Sequence, residues 1–160
     1  MKDLHYAVAV VVKKKITDKE FLETRRPLDD ADHPGLWGLP ANNLKEGELP
    51  EDGAKRICHE KLYCEAKPVR FIGAMSQKRN TYDICLMEYE MELLNNEEPN
   101  VKKADTEGTA YIDQKWTSDP KELIESAKAG ACCSTLLVTD LGLMNRDEWV
   151  TDLEGSKSVG

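Results

Sequence analysis

The chain has 160 residues, 40% of them hydrophobic and 32% charged, which is enough for one domain with a buried core. Its formal net charge of −8 repels phosphate at long range, which argues against extended nucleic acid as a partner but not against a small phosphorylated ligand in a locally basic or metal-filled pocket. No stretch approaches the roughly 18 apolar residues of a membrane span, and the N-terminus lacks the apolar centre of a secretory signal, so the expectation is a cytoplasmic protein without a membrane partner.

Residues 6–12 form a valine-rich apolar run closed by Lys13, Lys14 and Lys15, which predicts a strand. Residues 21–26 predict a second strand, and residues 28–35, dense in Asp, Pro and Gly, a loop. Pro50 opens an uninterrupted run to Leu62 with Asp52 close behind, the pattern of a helix start with acid near its N-terminus. Ala54, Cys58 and Leu62 recur every four residues and make an apolar stripe. Positions 57, 60 and 61 are three and four apart and share a different face.

Residues 69–75 and 82–93 predict two strands joined by a polar turn over residues 76–80. The second alternates apolar and polar side chains, with a register change near Met87, as a half-buried antiparallel strand would. Residues 95–107 are an acidic loop and residues 109–116 a further strand. Ser118 or Asp119 caps a helix with Pro120 at its first position, running to about Lys128 and stopped by Gly130. Cys133 to Leu141 begins a last helix, and the polar tail from Asn145 is expected to fray. With no repeat or linker, the expectation is a single domain over residues 1–160. The five cysteines, Cys58, Cys64, Cys85, Cys132 and Cys133, read as free thiols in a reducing compartment.

The segment from Trp37 to Cys64 carries the chemistry. It holds Glu48, then seven residues, then Arg56, then Glu60 four further on. This spacing resembles the signature of the Nudix (MutT-like) hydrolases, which reads Gly, five free positions, Glu, seven free positions, then Arg-Glu-apolar-any-Glu-Glu-any-Gly-apolar. Four positions depart from it: Asn42 and Tyr63 replace the two glycines, and Ile57 and Lys61 replace two carboxylates. Trp37, Leu39, Pro40, Gly47 and Pro50 stand at family-like offsets upstream. The resemblance implies an α/β fold, an α/β/α sandwich around a mixed β-sheet.

It also implies hydrolysis of a pyrophosphate bond in a nucleoside diphosphate linked to another moiety, with Mg2+ or Mn2+ held by oxygen ligands. The metal ligands carried over are Glu60 and Glu48, and the catalytic candidates are Arg56, Glu60 and, as general base, Glu107. Glu97 and Glu98 are alternatives to Glu107, and Asp83 is a replacement ligand or an edge-strand aspartate facing water. Arg56 and Glu60 would make an ordinary ion pair on any helix; their setting favours inheritance from an active-site helix.

Substrate-binding candidates are Trp37, Lys61 and Arg79, with Tyr82 as a second stacking residue. Lys61 has two readings: a solvated lysine, the plainer one, or an ammonium standing where the metal would be and touching phosphate as a point charge. His59 falls at a free position and is expected to be exposed and idle. One carboxylate on a face meant for three is a poor magnesium cage. The alternative function is therefore a catalytically impaired module of the same fold that binds a nucleotide or a protein partner. A homo-oligomer is compatible with either.

Overall fold

The structure, a computed structural model, describes residues 2–31, 33–106 and 108–155. Two alanines and four valines in an unbroken run over residues 7–12 give β1 (Asp3–Lys13), and all six are buried. The following elements are β2 (Phe21–Arg25), β3 (Trp37–Gly38), β4 (Ala41–Asn43), α1 (Pro50–Leu62), β5 (Ala66–Lys78), β6 (Tyr82–Leu93), β7 (Asp113–Thr117), α2 (Lys121–Lys128) and α3 (Cys132–Asp140). They build a mixed α/β fold. A four-stranded sheet has the order β4-β1-β6-β5, and a three-stranded sheet the order β3-β2-β7.

The β1/β6 pair is parallel, from Asp3 against Tyr82 to Lys13 against Glu92. The other pairs are antiparallel. Because side chains alternate across a strand, β1 serves two cores. Val8, Val10 and Val12 pack with Ala54, Ile57, Cys58 and Leu62 of α1. Val11 packs with Leu123, Ala127 and Leu137 of α2 and α3, and Ala7 and Ala9 with Leu136. The layers are helix, sheet, helix.

Several expected boundaries move. The strand expected at residues 69–75 extends to Lys78, so the turn shrinks to residues 79–81. No register change occurs at Met87: Ile84, Leu86, Glu88 and Glu90 are buried in unbroken alternation. The irregularities lie in β5, between Pro68 and Arg70 and between Phe71 and Gly73. The strand expected from residue 109 starts at Asp113; ahead of it, Thr109 and Tyr111 line a cavity.

Pro120 caps α2 instead of opening it, with Asp119 Oδ1 accepting from the Lys121 amide. Gly130, at φ +97°, stops the helix as expected. The tail does not fray through residue 155. The Lys78 amide donates to Thr151 O, the Leu153 amide donates back to Lys78 O, and Leu153 is buried. No described helix is long and apolar enough to cross a membrane.

Candidate functional site

Helix α1 starts on Pro50, with Glu51 and Asp52 in its first turn, where acid complements the partial positive charge of a helix N-terminus. Gly53 permits its close approach to the sheet, since a Cβ there would collide with the Leu44 side chain. The expected stripe of Ala54, Cys58 and Leu62 is wholly buried.

Arg56 stands on the open side of the helix and organises one rim of a groove. Its Nε donates to Glu48 Oε2 at 2.8 Å and its Nη2 to Glu48 Oε1 at 2.9 Å. Nη1 reaches Glu60 Oε2 at 3.1 Å and Nη2 also reaches the Asn43 carbonyl at 2.9 Å. Five donors in a planar fork are what allow one side chain to tie a loop, a strand end and a helix together. Arg56 holds the Glu48 carboxyl below its ordinary pKa. The groove beside it is lined by Asn42, Asn43, Lys45, Glu60 and Asp105.

Positions 57, 60 and 61 do not share an exposed face. Ile57 is fully buried in the core with Val8 and Leu22, and only Glu60 looks into the groove. The expectation of a solvated Lys61 is also overturned, since its relative exposure is 2%. Its Nζ donates to the Thr109 carbonyl at 2.7 Å and lies 5.2 Å above the Tyr111 ring. Burial, with Arg26 nearby, pulls its pKa down to about 8.

Lys61 lines a cavity of about 220 Å³ between the two sheets and the N-terminus of α3. The cavity brings together all three expected binding residues, Trp37, Lys61 and Arg79, along with Tyr82. Lys115 Nζ sits 4.3 Å over the Trp37 ring on its far side, and Tyr82 stacks on His5 at 4.3 Å. The cavity also holds residues absent from the candidates drawn from the sequence: Thr24, Arg26, His33, Tyr111 and Ser134. Leu22, Thr24 and Arg26 alternate on one face of β2 and its extension, which was the available signal for Arg26. Burial pushes the Tyr111 hydroxyl up to about 12, and its oxygen accepts from the Ala41 amide at 3.0 Å.

Three cations line this cavity, and among its described lining residues there is no Asp or Glu. Arg26 pairs with Asp30 at 3.0 Å from outside the wall. Lys61 and Arg79 have no carboxylate within ion-pair distance among the described residues. In a chain of net charge −8, a lining of this sign marks a place for negative charge.

The carboxylates expected elsewhere are occupied. Asp83 lies on β6, an inner strand and not an edge, and pairs with Lys2 at 2.7 Å. Glu98 accepts from Trp116 Nε1 at 2.9 Å and pairs with Lys14. His59 is exposed and meets only Glu65, at 2.6 Å. Residues 41–43 form strand β4, paired with β1. Glu107 lies outside the described residues.

The donor set does not fit a caged hard dication, which wants six or more oxygens. Glu48 spends both oxygens on Arg56 and one of them also on the Lys45 amide. Glu60 shares an oxygen with Arg56, Ile57 offers none, and Lys61 brings a positive charge. Among the described residues no group of three or more His, Cys, Asp or Glu could hold a metal ion.

Residues 3–125 match the model of the NUDIX domain. The chain belongs to the Nudix family. The same architecture recurs in solved structures of low sequence identity. A NUDIX hydrolase from Nitrosomonas europaea superposes with a TM-score of 0.65 at 14% identity, covering 88% of this chain and 89% of that one. A MutT NUDIX hydrolase from Burkholderia pseudomallei gives 0.61 at 17% identity, over 76% and 87%. The MutT protein from Methanosarcina mazei Go1 gives 0.59 at 15% identity, over 78% and 83%. The likeness to these Nudix structures covers the fold, so the replaced signature positions are changes made on a retained Nudix frame.

Proposed function

We propose that this Nudix protein binds a small nucleoside diphosphate derivative in the cavity between its sheets, with protein cations doing the work that the family assigns to a metal. The observation that carries this reading is a cavity, open to solvent on one side, lined by Arg26, Lys61 and Arg79 and by no described carboxylate. Lys61, held at the Thr109 carbonyl, contacts phosphate as a point charge, and Arg26 supports it with a fixed guanidinium. Trp37 and Tyr82 supply aromatic faces for a base. Arg56 acts on position: it fixes the loop carrying Glu48 against α1 and shapes the neighbouring groove.

A second reading, hydrolysis of the bound pyrophosphate, is favoured by one observation. Glu60 stands in the groove next to the cavity with Arg56 orienting it at 3.1 Å, a geometry suited to accepting a proton from water. Glu107, the general base expected from the sequence, is the alternative. The Mg2+ or Mn2+ of the family has no fitting set of ligands among the described residues.

Calorimetric titration with ADP and ADP-ribose, with excess EDTA and with excess magnesium, tests both. The expected result is binding that EDTA leaves intact and that Lys61→Met weakens. Binding that requires magnesium, or none at all, would overturn the first reading. AMP formation from the same ligands, lost in Glu60→Gln, would establish the second.

A further inference from the structure

The two cations of the cavity that lack a carboxylate partner among the described residues come from different elements: Lys61 from the last turn of α1, and Arg79 from the turn between β5 and β6. Among the described residues, neutral acceptors hold the Arg79 side chain. Its Nε donates to Gln77 Oε1 at 2.8 Å, its Nη1 to Tyr82 OH at 2.8 Å, and its Nη2 approaches Cys132 Sγ at 3.8 Å. Gln77 is itself fixed, donating from Nε2 to the carbonyls of Gly130 and Val150. The guanidinium is thus locked against the start of α3 with its charge unspent.

Helix α3 presents its first turn, Cys132 to Ser134, to the same cavity. It has nine residues, and its N-cap Ala131 makes no side-chain capping bond, so the opening amides carry the partial positive charge of a helix end. A helix end alone is not a site. Here a second observation accompanies it. Ser134 is fully buried, its Oγ has no hydrogen-bond partner, and it lines the cavity facing Gly38, whose added Cβ would stand 4.0 Å away. A buried hydroxyl without a partner costs about 1–3 kcal/mol unless something supplies one. Thr24 Oγ1, on the same cavity wall, is equally buried and equally unpartnered.

We infer that the α3 end of the cavity, made by Arg79, the opening amides of α3 and Ser134 Oγ, is a second anion subsite separate from the one at Lys61. The ligand it selects is a nucleotide with negative groups at two separated points, for example a second phosphate or a carboxylate away from the diphosphate. This rests on the proposed nucleotide reading for the identity of the ligand, but the subsite itself is a property of Arg79 and α3 and is tested apart from it.

The direct test is titration of the 15N-labelled protein with inorganic phosphate, followed at the amides of Cys132, Cys133 and Ser134. Saturable shifts are expected there in the wild type and in Lys61→Met. They should disappear in Arg79→Gln and weaken in Ser134→Ala, which removes one hydroxyl and leaves the packing intact should the Arg79 variant fold poorly. Shifts confined to the Lys61 end, or none at α3, would overturn the subsite even if ADP binds. The ligand class is read by comparing AMP with adenosine 3′,5′-bisphosphate. The bisphosphate should bind the wild type about tenfold more tightly, the worth of one charge-assisted contact, and Arg79→Gln should bring the ratio close to one. Equal affinity of the two for the wild type would refute the doubly anionic ligand. Phosphate shifts at α3 without any nucleotide binding would keep the subsite and discard the nucleotide.

Discussion

The Lys61 ammonium and the Thr109 carbonyl meet at 2.7 Å inside the protein, joining helix α1 of a Nudix frame to the irregular segment ahead of β7. Lys61 is thereby a buried cation on the wall of the cavity, with the Tyr111 ring beneath it. Its chemistry follows from burial. With a pKa near 8, the charge that would hold phosphate is present at neutral pH and is lost as pH rises through that value. ADP should therefore bind more weakly at about pH 9 than at about pH 7, and this dependence should vanish in Lys61→Met. The stability has the opposite trend. The unfolded lysine keeps its proton to about 10.5 while the folded one sheds it near 8, so the wild type gains stability relative to Lys61→Met as pH rises across that window. Calorimetry and melting curves at both pH values check the two signs, and parallel curves for the two proteins would contradict them.

Rebuilding the signature's carboxylates should fail for a packing reason. Ile57 is fully buried among Val8, Leu22 and Leu62. Ile57→Glu would place a charge in that core at a cost of roughly 3–5 kcal/mol. The double variant Ile57→Glu, Lys61→Glu should lose stability in urea and gain no magnesium affinity. A folded double variant that binds magnesium would show that α1 can rotate its faces.

Arg56 fixes Glu48 through two parallel bonds and the Asn43 carbonyl through a third. Lysine keeps the charge and cannot make the fork. Arg56→Lys should cost about 1–3 kcal/mol of stability, and Glu48→Gln a similar amount. In a double-mutant cycle the two losses should be well short of additive, because both remove one interaction. Simple additivity in urea denaturation would mean that the fork contributes little.

Glu23 of β2 is fully buried, and both its oxygens lack hydrogen-bond partners. Lys115 Nζ is 3.9 Å away but is shared with Glu122. Burial pushes the Glu23 carboxyl up to about 7. The folded protein then holds a proton that the unfolded chain releases near 4.5, so stability falls as pH rises between these values. Glu23→Gln should remove that fall and melt higher than the wild type at about pH 8. Identical pH profiles for the two proteins would refute it.

Tyr63 ends α1 in the left-handed conformation, at φ 52° and ψ 43°, with its amide bonded to Cys58 O. The family's signature has glycine there, and a side chain in that conformation costs about 1 kcal/mol. Tyr63→Gly should raise stability by roughly 0.5–1 kcal/mol, while Lys55→Gly, exposed inside the same helix, should lower it by about 1 kcal/mol. Thermal melts of the pair distinguish this from a general effect of glycine.

Local order along the chain was written in short-range pattern. The valine run of β1, the four-residue stripe of α1 and the Gly130 stop each depend on neighbours within a turn or two, and alternation or period exposes them. The signature spacing likewise marked α1 and the Arg56–Glu60 pair, at one register with Glu48. Tertiary structure alone decided which way the charges face. Lys61 and Lys55 are both lysines on one helix, and only the packing of residues 109–111 against α1 makes one of them buried and cationic toward a cavity. Thr24 and Arg26 on β2 and its extension, Ser134 on α3 and Arg79 between β5 and β6 come from three distant segments, and no local pattern relates the three. Electrostatics inside a protein is set by what surrounds a group in space, so a sequence displays the charges while the fold assigns them their partners, their exposure and their protons.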